Sequence, residues 1–410
     1  MKHFLLPDVV SKSRILRAKL LLSLRFHGLR LQTNFIYQRR KHAADYVPGL
    51  DMVVAPVPPG RPGRNLALSV LLMTLTSIVG LAQGPVLAEE QPNQTTNELA
   101  GEVRSKGWIV YSARTKSGDW DLFLMRPDGS QRRNITSTPG ANEAAARFSH
   151  DGRRLLFRRL GRESTIDHCF HGQQGSLVLA NSDGSRPTTF GSAGQFPWAS
   201  WGPDGKQLAC LTVKGIEVVD IATKKVVRKV PRKGIFQRFF WSSDGKWFVG
   251  TANGFGDKWT VVRMNAATGE VNRIHQSHCC TPSWFSDSKR VIYSYRAKSP
   301  GRYGETELWM ASGDGSNRQL IYGSDDRHMY YGTVSPDLKY VVFTDSPKDG
   351  AGSDKSGSPL VIMRLSDAPT IAGKSPVLRK RSPRDHAGPV LRLAAGWNPH
   401  WTFASVGGQP

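Results

Sequence analysis

From residue 107 onward the chain alternates short apolar runs with polar turns, and no apolar run there is long enough to suggest a buried helix. The runs Leu155-Leu156-Phe157, Leu208-Ala209-Cys210-Leu211, Trp247-Phe248-Val249, Val291-Ile292-Tyr293 and Tyr340-Val341-Val342-Phe343 have the length of strands. Each follows a turn of one form. In Trp241-Ser242-Ser243-Asp244-Gly245-Lys246 an aromatic residue ends one strand and an Asp-Gly pair supplies the positive φ of a tight hairpin. Variants of that turn stand at 148–153, 201–206, 284–289 and 334–339, and the steps between their aspartates are 53, 40, 43 and 50 residues. A second turn, Asp-Gly-Ser, returns at Asp128, Asp183 and Asp314. Three or four short strands in a unit of this length describe one blade of a β-propeller.

The aromatic-Ser-x-Asp-Gly-Lys units resemble the repeats of the TolB family, bacterial relatives of WD-type propellers, over roughly residues 107 to 403. The expected fold is therefore all-β, a six-bladed β-propeller of TolB-like repeats. Its inner strands should lie near residues 148, 201, 241, 284, 334 and 401. Gly107 to Ser112 matches a second strand, so the first unit lacks the strand that should precede it. Pro399-His400-Trp401-Thr402 has the shape of Pro282-Ser283-Trp284-Phe285 and supplies it. Closure by this C-terminal strand leaves few exposed edges. Trp201, Trp241, Trp284 and Trp401 occupy one structural slot and are expected to pack between blades, and the repeated aspartates to act as turn-makers.

Ahead of the repeats the pattern changes. Residues 1–51 are basic with no sustained period, and a start at Met52 is the simpler reading. From Met52 a segment with Arg61 and Arg64, an apolar run from Leu66 to Ala82, and Val86-Leu87-Ala88 make a secretory signal over 52–88. Left uncleaved, it would anchor the chain with its basic side in the cytoplasm. Either way the propeller is expected to be periplasmic or otherwise exported. Residues 89–106, rich in Gln, Asn and Glu, read as a flexible linker ahead of the propeller at 107–403 and a tail at 404–410.

The formal charge of +23 is spread along the chain. Residues 1–88 carry 12 Lys and Arg against 3 Asp, a net of +9, which leaves +14 on the remainder. A basic propeller suits an envelope protein or an anionic polymer as partner, and an ordinary solvated basic surface shows the same pattern. No nucleic-acid partner is expected, and the chain is expected to be a monomer.

No nucleophile elbow, phosphate loop, dinucleotide fingerprint or His-Glu-x-x-His helix is present, which weakens a hydrolase or nucleotide-binding reading. The long loops at 160–174, 295–306 and 344–359 fall on one face of such a disc, the expected working surface. Arg379, Lys380, Arg381 and Arg384, in a stretch longer than its blade requires, are candidate binding residues. Two His and Cys clusters, at 168–171 and 275–280, suit either a disulfide among Cys169, Cys279 and Cys280 or a soft metal. Cys210 reads as a small buried hydrophobe. Residues before or within the inner strands, Glu143, Gln195, Arg238, His278, His328 and His400, are expected at the channel mouth. The chain also resembles oligogalacturonate lyases in propeller type and His-bearing inner strands. That resemblance implies a divalent metal held by His278, His328 and His400 beside an acidic sugar. The favoured expectation is a noncatalytic protein-binding scaffold needing no cofactor. The alternative is a metal-assisted polyuronate lyase or another carbohydrate-active propeller.

Overall fold

The computed structural model describes residues 94–166, 175–231, 234–255, 259–275, 278–296, 306–324, 327–347, 358–368 and 388–407. The signal at 52–88, the His and Cys cluster at 168–171 and the basic stretch at 379–384 lie outside them. Among the described residues no helix is long and apolar enough to cross a membrane.

The described chain begins with helix α1 (Gln94–Val103), followed by β1 (Trp108–Arg114), β2 (Trp120–Met125) and β3 (Arg133–Asn134). The second blade is β4 (Ala141–Phe148), β5 (Arg154–Gly161), β6 (Gly175–Asn181) and β7 (Thr188–Phe190). The third is β8 (Ala199–Trp201), β9 (Gln207–Thr212), β10 (Gly215–Asp220) and β11 (Val226–Pro231). The fourth is β12 (Ile235–Trp241), β13 (Trp247–Ala252), β14 (Thr260–Asn265) and β15 (Val271–Arg273). The fifth is β16 (Cys279–Trp284), β17 (Arg290–Tyr295), β18 (Glu307–Ser312) and β19 (Gln319–Tyr322). The sixth is β20 (Arg327–Val334), β21 (Tyr340–Pro347), β22 (Pro359–Arg364) and β23 (Leu391–Ala395), and β24 (Trp397–Thr402) ends the series.

These strands form six antiparallel sheets of four, the propeller expected from the repeats. In five sheets the innermost strand comes first in the chain. In the first blade it comes last: β24 pairs with β1, Ile109 opposite Trp401 and Val110 opposite His400. The ring is closed by this pairing, as the sequence implied. Blades stack face to face, so both faces of the middle strands are covered. Six of the seven residues of β1, the second strand of the first blade, are buried. That explains why the second strands read as continuous apolar runs and show no alternation.

The expected linker at 89–106 is corrected by the structure. Residues 94–103 form α1, and Leu99 and Val103, four apart on one face, are fully buried against Ile109, Tyr111, Tyr340 and Leu391. Glu102 holds Arg364 at 2.7 Å across the same contact. The expected tail is also partly built in, since Val406 is fully buried among Trp108, Phe148 and Leu155.

Candidate functional site

The repeated turn sets where every inner strand ends. In the fourth blade Ser242 Oγ donates to Asp244 Oδ1 at 2.6 Å, the same carboxylate oxygen accepts the Lys246 amide at 3.0 Å, and Gly245 takes φ +74°. Ser149-Asp151 and Ser335-Asp337 repeat the 2.6 Å bond, and the aspartates are turn-makers. With the turns alike, the six inner strands finish on one side of the disc, where a recess of about 290 Å³ opens on the axis.

Two rings of six residues line it. The outer ring is Phe148, Trp201, Trp241, Trp284, Val334 and Trp401, at the end of the inner strand in each blade. One step deeper stand Arg147, Ser200, Phe240, Ser283, Thr333 and His400. The tryptophans are fixed by their indole N–H groups. Trp201 donates to the Arg147 carbonyl at 3.0 Å and Trp284 to the Phe240 carbonyl at 3.1 Å, both across blade boundaries. Trp241 donates to the Gly245 carbonyl at 2.9 Å and Trp401 to the Lys106 carbonyl at 2.6 Å. They pack between blades as expected and also wall the recess, leaving their apolar faces as its surface.

Below these rings the inner strands are irregular. The ladders slip between Ala144 and Arg147, Cys280 and Ser283, and Tyr330 and Thr333, and the residues Ala145 (φ +59°), Thr281 (φ +48°) and Tyr331 (φ +61°) sit at the slips. Asn398 (φ +58°) holds the same position in β24. A left-handed backbone at a β-branched or aromatic residue costs about 1–3 kcal/mol, and bulges re-aim side chains. Here they turn polar groups inward. Arg238 donates to Asn398 Oδ1 and to the Tyr331 hydroxyl at 2.6 Å. Arg147 Nη1 donates to the carbonyls of Ala146 at 2.8 Å and Asn398 at 3.0 Å.

The axis is therefore cationic. Arg147, Arg158 and Arg238 are 7%, 2% and 2% exposed. Burial, and then repulsion from Arg238, pushes the Arg147 guanidinium down to about 9 and Arg158 down to about 10. His400 accepts the Phe148 amide at Nδ1, 3.1 Å away, which places the proton of its neutral ring on Nε2. Burial, Arg147 and His150 hold its pKa well below the usual histidine value, so the ring is neutral at physiological pH.

Among the expected mouth residues, His400 alone lines this recess, and Arg238 lies in the layer beneath it. His278 and His328 stand where their inner strands begin, at the opposite end from the recess. His278 meets Trp259 edge-on at 5.4 Å, and His328 Nδ1 lies 3.1 Å from Thr306 Oγ1. The structure thus does not gather His278, His328 and His400, and among the described residues no three His, Cys, Asp or Glu side chains are placed to share a metal. Glu143 is fully buried, with Arg159 Nε donating to it at 2.9 Å, and the Gln195 side chain accepts the Ser192 amide within a turn.

Of the cluster at 275–280, His275 and Cys279 point inward, not to the mouth. His275 Nδ1 is 3.1 Å from Cys279 Sγ, and both are buried among Tyr293, Tyr295 and Trp309. Cys279 and Cys280 are not bonded to each other, and Cys169 lies outside the described residues. Cys210 is a buried small hydrophobe whose thiol burial pushes far up. The recess also opens at the opposite end of the blades from Gly161, Tyr295 and Pro347, where the second strands finish, because the turns after the inner strands lie at the other end of each blade. The anchors of the basic stretch, Ala368 and Gly388, join the third and fourth strands of the sixth blade and so fall on the recess side. Arg147, Ser200, Ser283 and Thr333 are absent from the sequence expectations. Their signal is the residue directly before the repeat aromatic, which varies from blade to blade.

No protein-family profile matches the sequence, and no curated protein matches it. Among solved structures, TolB from Acinetobacter baumannii is similar at 16% identity with a TM-score of 0.53, over 73% of this chain and 67% of that one. An oligogalacturonate lyase from Vibrio parahaemolyticus is similar at 15% identity with a TM-score of 0.38, over 63% and 70%. An oligogalacturonate lyase in complex with manganese is similar at 17% identity, also with a TM-score of 0.38, over 63% and 71%. Of these three the first alone exceeds a TM-score of 0.5, and at its identity the likeness establishes a fold, the six-bladed propeller of TolB.

Proposed function

We propose that this chain is an exported, noncatalytic propeller that binds a protein partner in the cell envelope, and that the partner inserts a short segment into the axial recess. The observation that carries this reading is the construction of the recess. Every blade contributes one residue to each of two rings, and the indole N–H groups of its tryptophans are tied to backbone carbonyls. A rigid apolar wall with a few hydroxyls suits a peptide segment, because little side-chain entropy is lost on binding. Export rests on the signal pattern from Met52 to Ala88, and the basic remainder of the chain favours an acidic partner.

The test is a pull-down from envelope extract with the full chain, compared with Ser283→Phe. Ser283 is half-buried on the recess wall, and a phenylalanine there fills the space. A partner recovered by the parent and reduced about tenfold or more by the filled recess, at unchanged melting temperature, supports the reading. Equal recovery by both chains would place binding elsewhere on the molecule.

A further inference from the structure

The deeper ring holds a charge that the recess itself does not balance. Its lining contains Arg147, His150 and His400 but no Asp, Glu or Lys. Among the described residues Arg147 has no ion pair, and the bonds it makes go to two neutral carbonyls through Nη1. Its Nε is buried with no acceptor, and so is the Nδ2 of Asn398 behind it. His400 adds a third donor, since its Nδ1 is already taken by the Phe148 amide. Burial of an uncompensated guanidinium is destabilising, and strained bulges at Ala145 and Asn398 hold it there nonetheless.

We propose that the deeper ring is a carboxylate subsite, with Arg147 as its anchor and His400 as a neutral donor, for a carboxylate borne on an apolar residue at the end of a bound segment. This rests on the reading of the recess as a peptide site. The Nε edge of a guanidinium offers two parallel N–H bonds that match a carboxylate. Phe240 beside it and the tryptophan ring above match an apolar body. Arg147 is the one guanidinium on the recess lining, and a single planar edge matches the two oxygens of a carboxylate. The mouth thus discriminates by charge at its floor and by shape at its wall.

The full chain is titrated with N-acetylphenylalanine, its amide N-acetylphenylalaninamide, acetate and inorganic phosphate, followed by tryptophan fluorescence and calorimetry. The acid should bind about tenfold or more tighter than the amide, and acetate and phosphate more weakly than the acid. Arg147→Met should abolish the preference for acid over amide while keeping or raising the melting temperature, since it removes a buried charge. Arg147→Lys keeps the charge without the planar fork and should lower the preference about threefold or more. Equal binding of acid and amide, an acid preference that survives in both variants, or tighter binding of phosphate would each overturn the assignment. If the preference fails while partner capture still responds to Ser283→Phe, the carboxylate subsite falls and the peptide reading stands.

Discussion

The first and fourth blades have the same four-stranded plan and are held together by different means. In the fourth blade the inner strand β12 runs through a Ser-Ser-Asp-Gly turn into β13, so the chain itself keeps the two in register. In the first blade β24 and β1 come from opposite ends of the propeller, and no turn joins them. Other contacts replace the turn. The Trp401 indole donates to the Lys106 carbonyl at 2.6 Å, and Gly107 takes φ +75° directly under Thr402, where an added Cβ would lie 1.9 Å from the Thr402 oxygen. On one side α1 packs Leu99 and Val103 against strands of the first and sixth blades, and on the other Val406 joins the cluster between the first and second. Where covalent continuity is missing, the chain ends supply apolar clamps.

Removing the clamp altogether breaks the comparison most severely. Truncation after residue 390 deletes β24, with the outer strand β23, and leaves β1 as an open inner edge, and the expected result is loss of cooperative thermal unfolding, or aggregation, read by circular dichroism and light scattering. A truncated chain that melts like the parent would mean that the ring does not depend on its closing strand.

Next in size is the helix. Leu99→Ala leaves a cavity at a fully buried site and should cost about 2–5 kcal/mol in denaturant unfolding, whereas a flexible linker would lose nothing. Retention of full stability would detach α1 from the closing blade.

A smaller effect, of opposite sign, lies at the boundary between the first two blades. Asp121 of β2 and Glu143 of β4 are both buried and interact, and burial pushes the Asp121 carboxyl up to about 6, with Glu143 adding to it. A raised carboxyl favours the folded state while protonated, so this contribution is full below about pH 3.8 and is lost as pH rises through about 6. Asp121→Asn should therefore stabilise the protein by about 1–3 kcal/mol at pH 7 and by much less at pH 4, measured as melting temperature against pH. An equal shift at both pH values would exclude titration of Asp121 as the cause.

The smallest change sharpens the contrast between apolar and ionic clamping. Glu102→Gln removes the ion pair with Arg364 at the partly exposed surface of α1, and it should cost under about 1 kcal/mol. A loss comparable to that from Leu99→Ala would make the clamp electrostatic.

The turns and the closing strand were legible in the sequence because each repeats or completes a local motif: Asp-Gly fixes a backbone shape, and the shape of Pro399 to Thr402 has a copy at Pro282 to Phe285. The helix was not, since Gln94–Val103 carries only Leu99 and Val103 as large apolar residues, and ten residues of such composition are helical through the surface they dock on. The recess was half legible. His400 stood out by residue type, whereas Arg147 and Ser283 need the register of inner strands that slip, and periodicity does not report a bulge. The expected working face and the recess lie at opposite ends of the blades, because loop length draws attention to one end and the recess opens at the other.

The pairing of Trp401 with the chain around Lys106, 295 residues earlier, also sets an order of events during synthesis. Five blades have all their strands before the last dozen residues exist, yet the first cannot be completed until those residues leave the ribosome. Contacts so distant in sequence form slowly, and the exposed edge of β1 is open to other chains meanwhile. A premature stop between residues 396 and 401 therefore yields a chain that has made nearly all of its structure and cannot lock it, which makes the closing strand a checkpoint on translation up to that point.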